Sequence, residues 1–271
     1  MFRPENLPKK QYTCPHCRRA FRVAVLEPIK ASVEVLACER CGEPTLLELY
    51  DELLTWFMKR RASPQAVPME DAILACHCGG RSRRAAAARC PDCKKPLWQP
   101  AEPGAKPTTP KQVPLIGEPR LTPAVWDRNN SSLRDELSRA ALYCLDLGGA
   151  RFEEACIALP ALGLFDPERA FSLLRQAIAA NPEQLDEDAY YADDQRQTLF
   201  TLTVALLTAA LNGGGRQVLP YVASQLAGSD RRWVGFILDA MCESDQLTRR
   251  PEVTWLEGGK ARAAVEQRLR G

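Results

Sequence analysis

Eight of the eleven cysteines lie before residue 94, and they come as four close pairs: Cys14/Cys17, Cys38/Cys41, Cys76/Cys78 and Cys90/Cys93. Paired cysteines in a reducing compartment point to metal rather than to disulfides. Two residues between thiolates allow a tight turn that aims both sulfurs at one ion. Two such turns complete a tetrahedron with metal–sulfur distances of about 2.3 Å. Taken in chain order, the pairs predict two sites, Cys14, Cys17, Cys38 and Cys41, then Cys76, Cys78, Cys90 and Cys93. The expected cofactor is Zn2+, one ion at each. The pair Cys76/Cys78 has a single intervening residue, which leaves open whether His77 replaces one of these cysteines. His16 lies inside a knuckle whose quartet is already filled, and reads as a surface residue. Cys144, Cys156 and Cys242 are scattered and read as small buried hydrophobes.

The elements around the pairs are legible as patterns. Phe21, Val23 and Val25 alternate with Arg22 and Ala24, and Val33 and Val35 alternate likewise, with Pro28 and Lys30 between. That periodicity predicts a β-hairpin joining the first two knuckles. Thr45 and Glu48 make a capping box, so Leu46, Leu49, Tyr50, Leu53, Trp56 and Phe57 read as one face of a helix closed by Lys59, Arg60 and Arg61. Residues 12–44 resemble a zinc ribbon in spacing and layout. Residues 74–97 look like the short zinc ribbons appended to many bacterial proteins. The resemblance implies two small metal-stabilised β modules, each too small to fold unaided.

Beyond the cysteines the composition changes. Eight prolines fall in the 28 residues from Pro96 to Pro123. This stretch reads as an interdomain linker, or as a strap over one domain anchored by Val113, Leu115 and Ile116. Helical periodicity follows. Ser132 and Asp135 cap a helix through Leu133, Leu137, Ala141 and Leu145 that stops at Gly148-Gly149. Another runs from Phe152 to Leu159 and ends near Pro160, and Asp166-Pro167 starts a third that ends before Asn181-Pro182. An apolar helix is expected from about Gln195 to Leu211, with others at 217–226, 232–242 and 260–269. Ala170, Leu174, Ala177 and Pro182 resemble the second helix of a tetratricopeptide repeat, without a clear second copy. The expected organisation is α+β and multidomain: a zinc ribbon and helix in 1–62, a short ribbon in 63–98, a proline-rich linker in 99–124 and an all-α domain in 125–271.

Charge divides in the same way. Residues 1–100 hold 17 Lys/Arg and 11 Asp/Glu, whereas residues 131–271 hold 15 and 20. Two four-thiolate zinc sites would cancel most of the first excess, so a nucleic-acid reading needs a local patch. One exists: Arg81, Arg83, Arg84, Arg89, Lys94 and Lys95 lie within 15 positions and Asp92 is the one acid among them. Phosphate contacts need flexible cations rather than a fixed motif, but only Trp98 is nearby as a stacking platform.

Catalysis finds little support. The chain has two histidines, both in knuckles, so the helical half offers no histidine base. Nucleotide-binding glycine loops and HExxH are lacking. The zinc-deaminase signature fails because no glutamate follows His77 at the required place, and Arg89 rather than proline precedes Cys90. Asp186, Glu187, Asp188, Asp193 and Asp194, with Tyr190 and Tyr191, read as a solvated loop more readily than as a cation site. No apolar run reaches the roughly 20 residues of a membrane span, and the first residues do not form a signal-peptide core. The expectation is a cytosolic, non-catalytic protein that recognises a protein partner in a larger assembly. Binding of nucleic acid through the basic loop is the alternative. Replacing Cys144 with serine is expected to leave metal content unchanged, as measured by elemental analysis of the purified chain.

Overall fold

The structure, a computed structural model, describes residues 3–59, 68–98, 111–122, 124–145, 152–185, 199–214 and 231–247. It is mixed, with small sheets in the N-terminal part and helices in the C-terminal part. The chain divides into two units, Met1–Asn130 and Ser131–Gly271.

The first unit holds two sheets. β1 (Lys9–Thr13), β2 (Ala20–Leu26) and β6 (Val113–Leu115) form one in the order β1-β2-β6. β3 (Val33–Cys38), β4 (Pro44–Glu48), β5 (Ser82–Arg83) and β7 (Arg120–Leu121) form the other in the order β5-β3-β4-β7, with β7 parallel to β4. The alternating segments are thus strands as expected, but they do not pair with each other. Both edges of β2 are taken by β1 and β6, and both edges of β3 by β4 and β5. A four-residue helix, α1 (Pro28–Ala31), carries the chain between the sheets and stops at Ser32, whose φ is 52°. Leu26, Val33, Leu46, Val113 and Leu115, drawn from both sheets, make one buried cluster.

The stripe after Cys41 is only half helical. Pro44 to Leu47 are buried in β4, and the helix α2 (Glu52–Lys59) begins later. A run of four apolar or small residues does not distinguish a buried strand from a buried helix turn. Neighbours on both edges decided for strand. The true cap is Asp51, whose Oδ1 accepts the Leu54 amide at 3.0 Å. Thr45, expected in a capping box, is buried instead and meets Ser82 Oγ at 2.9 Å.

The described part of the proline-rich stretch is a strap. Val113, Pro114 and Leu115 pair with β2 and are buried, and Arg120 and Leu121 lie beside β4. Arg120 is a side-chain bolt that the sequence reading missed. Its Nη1 donates to the carbonyls of Leu74 (2.9 Å) and Ala75 (3.2 Å), and its Nη2 to Thr45 Oγ1 (2.8 Å) and Ser82 Oγ (2.7 Å). Trp126 also belongs to this unit. It bridges Ile73 and stacks on Phe57 with ring centroids 5.9 Å apart, so the helical part starts after Asn130 rather than at residue 125.

The second unit contains α3 (Ser131–Cys144), α4 (Phe152–Phe165), α5 (Pro167–Ala180), α6 (Leu199–Gly214) and α7 (Arg231–Leu247). α4 passes through Pro160 instead of ending there. Proline removes one helix hydrogen bond, but Ala158, Leu159, Ala161, Leu162, Leu164 and Phe165 are all buried, and that burial carries the helix on. α4 packs against α3, α5 and α6. A Cβ at Gly163 would lie 2.1 Å from a Leu206 methyl, so glycine sets the close approach of α4 and α6. α5 begins as expected: Asp166 caps it by accepting the Arg169 amide at 3.2 Å. Arg169 in turn reaches Asp135 on α3 at 2.9 Å. The tetratricopeptide-like residues Ala170, Leu174 and Ala177 all lie on α5. Cys156 and Cys242 are half-buried rather than fully buried. The expected helices at 217–226 and 260–269, and the acidic segment with Tyr190 and Tyr191, lie outside the described residues. No described helix is long and apolar enough to cross a membrane.

Leu115 fastens the strap to the sheet core. Leu115→Ala is expected to lower stability by about 2–4 kcal/mol, whereas Lys111→Ala on the exposed face of the same segment should shift it by less than about 0.5 kcal/mol. Thermal and denaturant unfolding of the full chain would measure both.

Candidate metal centre

Each cysteine pair sits in a turn closed by backbone hydrogen bonds. In the first, the Cys14 amide donates to the Arg19 carbonyl (3.0 Å) and the Arg18 amide to the Cys14 carbonyl (3.0 Å). The other pairs repeat this: Cys38 to Glu43 and Gly42 back to Cys38, and Cys90 to Lys95 and Lys94 back to Cys90. The short pair closes one residue earlier, Cys76 to Gly80 and Gly79 back to Cys76. The residue that returns its amide has a positive φ in all four: 60° at Arg18, 80° at Gly42, 79° at Gly79 and 59° at Lys94. CxC is therefore the same knuckle with one residue removed. The first cysteine of every pair is buried, and the second is more exposed.

All eight cysteines come together in two quartets, but not in chain order. Cys14 and Cys17 join Cys90 and Cys93, while Cys38 and Cys41 join Cys76 and Cys78. The sites are nested: the inner quartet is closed within the chain segment spanned by the outer one. The sequential division into a ribbon at 12–44 and another at 74–97 is corrected accordingly. The cause is the strand pairing. The first knuckle is the turn between β1 and β2, and the second follows β3 into β4. Because β2 and β3 enter different sheets, their cysteine ends do not meet. β5 instead pairs with β3, with Ser82 opposite Cys38, and brings the third knuckle to the second.

The geometry suits one ion per quartet. Cys14–Cys93 and Cys17–Cys90 sulfurs are 3.7 and 3.8 Å apart, and Cys38–Cys78 and Cys41–Cys76 sulfurs are 3.5 Å apart. A tetrahedron with metal–sulfur bonds of about 2.3 Å has edges of about 3.8 Å. Each cluster could hold a metal ion without moving the backbone far. Gly80 makes the inner approach possible: a Cβ there would lie 2.6 Å from Cys38 Sγ and 2.7 Å from Arg40 Cβ.

Electrostatics separates the thiols of one quartet. Burial pushes Cys14 up, but the amides of Cys17 and His16 and the thiols of Cys90 and Cys17 outweigh it and bring it to about 6. Cys17 is lowered by the Arg19 amide, but burial and the surrounding thiols of Cys14, Cys90 and Cys93 push it up to about 11. In the inner quartet the Gly80 amide and the neighbouring thiols hold Cys78 down at about 6 despite burial. Burial raises Cys41, and burial together with the carboxylate of Glu43 raises Cys76. In each quartet the thiols pushed up resist ionising beside the one held down. Full deprotonation needs a cation at the centre, which is how metal binding couples to proton release.

Both knuckle histidines are accounted for. His16 Nε2 is 2.8 Å from the Pro96 carbonyl and ties the first knuckle to the fourth. His77 does not replace a cysteine, because Cys76 and Cys78 both join the inner quartet. Its Nδ1 lies 2.9 Å from Glu43 Oε2.

The basic loop is largely engaged within its own unit. Arg81 and Arg83 reach Asp71 at 2.7 and 3.3 Å, and Arg84 pairs with Glu34. Arg89 donates to the carbonyls of Lys94 (3.0 Å) and Glu39 (3.1 Å). Lys94 and Lys95 are exposed.

A family model described as "Domain of unknown function (DUF8255)" matches residues 10–99. The matched stretch contains all four knuckles. No curated protein and no solved structure matches the chain.

A signal for the nested partition was present in the sequence. The outer knuckles read Cys14-Pro15-His16-Cys17-Arg18 and Cys90-Pro91-Asp92-Cys93-Lys94, each with proline second and a basic residue at positive φ. The inner knuckles both end in Cys-Gly, at Cys41-Gly42 and Cys78-Gly79. Like knuckles share a site. The partition is testable by metal content. The double variant Cys14→Ser/Cys90→Ser is expected to keep one metal equivalent, and Cys14→Ser/Cys38→Ser to keep none. Quartets in chain order would give the opposite result.

Proposed function

We propose that this chain is a non-catalytic, zinc-binding adaptor or accessory subunit that recognises a protein partner within a larger assembly. The observation that carries the reading is that both clusters are closed. Four cysteine sulfurs surround each centre, so every position of a tetrahedral ion is taken by protein. A catalytic zinc keeps an open position for water or substrate, whereas four thiolates suit a structural site. An all-sulfur tetrahedral set selects zinc or iron–sulfur centres. Sulfurs 3.5–3.8 Å apart leave room for one ion rather than a cluster, which favours zinc. The metals then replace part of the hydrophobic core, and the hairpins and helices around them supply recognition surface.

The nucleic-acid alternative would use Arg81, Arg83, Arg84, Arg89, Lys94 and Lys95. A phosphate would have to compete with Asp71 and Glu34 for three of these arginines. Such half-exposed pairs are weak, so competition is decided by experiment. Labelled DNA and RNA are titrated with the full chain across a salt series and followed by polarisation. The expected result is no saturable binding at low salt, together with a stoichiometric protein partner that survives nuclease treatment and is lost on chelation. Tight binding that falls steeply with salt and vanishes in the Arg81→Ala/Arg83→Ala/Arg84→Ala variant would overturn the adaptor reading.

A further inference from the structure

Two groups that can bind metal, Glu43 and His77, lie beside the inner quartet and converge on one of its members, Cys76. Glu43 Oε2 is 3.1 Å from Cys76 Sγ and 2.9 Å from His77 Nδ1, and that nitrogen is 3.7 Å from the same sulfur. A carboxylate oxygen, an imidazole nitrogen and a thiol sulfur thus converge from two different knuckles. Glu43 follows the second, and His77 is the single residue inside the third.

The exposure of the three groups is graded. The His77 side chain is 75% exposed, that of Glu43 is 18% exposed, and Cys76 is buried at 3%. An ion arriving from solvent meets imidazole first, carboxylate next and the shared sulfur last. Borderline-soft divalent ions such as zinc accept N, O and S donors together, with bond lengths of about 2.0–2.3 Å. Three donors leave a fourth position open for water. The outer quartet has no such neighbour among the described residues, because its knuckle histidine, His16, is held by the Pro96 carbonyl.

We propose that Glu43, Cys76 and His77 form a second, three-ligand divalent-metal site, through which the inner quartet acquires and exchanges its ion. The proposal rests on the reading of the inner quartet as a zinc site. On binding, Cys76 loses its proton to solvent and its sulfur bonds the ion beside Glu43 Oε2 and His77 Nδ1. The sulfurs of Cys41, Cys78 and Cys38 would then take the places of imidazole, carboxylate and water one at a time, those still protonated giving their protons to solvent. No electron is transferred. Release follows the same steps in reverse, with Glu43 and His77 taking back the ion while Cys76 still holds it.

The test is exchange of isotopically labelled zinc into the zinc-loaded full chain, followed by mass spectrometry. Wild type is expected to show a faster and a slower site. His77→Ala and Glu43→Gln should each slow the faster site by about tenfold, the scale on which groups around a metal act. They should leave the slower site and the total of two equivalents unchanged. His16→Ala serves as the control and should not slow the faster site. Unchanged exchange in both variants overturns the proposal, as does equal slowing of both sites. Loss of bound zinc without a change in exchange rate assigns the pair a merely structural role and also overturns it. A wild-type chain that binds no zinc would instead sink the zinc reading on which the proposal stands.

Discussion

Four thiols brought within 3.5–3.8 Å of a neighbour cannot all ionise without a cation between them, and the first unit is arranged around that constraint twice. The knuckle turns solve the local half of the problem. Amides point at the sulfurs of Cys14, Cys17, Cys41, Cys76 and Cys78, one residue per turn takes a positive φ, and the first cysteine of each pair is buried. The nesting solves the long-range half. Closing Cys14 and Cys17 onto Cys90 and Cys93 ties together chain ends that a sequential arrangement would leave apart. Closing such a long loop costs chain entropy on folding, and ion binding at the closed quartet would offset that cost.

The sheets and the strap are consistent with this closure. β1-β2 and β3-β4 each carry a knuckle at their turn, and β5 docks the third knuckle on β3. β6 and β7 then run back over both sheets from the proline-rich stretch. Arg120 hydrogen-bonds two strands and the chain leading into the third knuckle with one guanidinium, whose planar fork suits several acceptors at once. Leu26, Val33, Leu46, Val113 and Leu115 form a buried apolar cluster that both sheets share.

The helical unit follows different physics. Its stability comes from apolar burial along α4 and α6, whose approach is set by Gly163 against Leu206. Among the described residues, Ser138, Thr203, Asn212 and Ser244 are the buried polar ones of this unit. Thr203 returns its hydroxyl to the Leu199 carbonyl at 2.7 Å, and Thr208 meets Ser244 at 3.0 Å. Such local satisfaction keeps a buried hydroxyl from costing what an unpaired one would.

The sequence by itself determined the local pattern: eight cysteines in four knuckles, strands at Phe21–Val25 and Val33–Val35, a capped helix at Asp166-Pro167, and helices over the described parts of the second unit. These follow from short-range rules of turn, cap and periodicity, which the neighbouring residues enforce. It also contained, unread, the likeness of the two CPxC knuckles to each other. Only the tertiary structure decided which cysteines share a quartet, that Thr45–Leu47 are strand rather than helix, that α4 continues through Pro160, and where Arg120 acts. The physical reason is common to all four. Each depends on what lies across a sheet edge or a helix face, and residues far apart in the chain supply those neighbours.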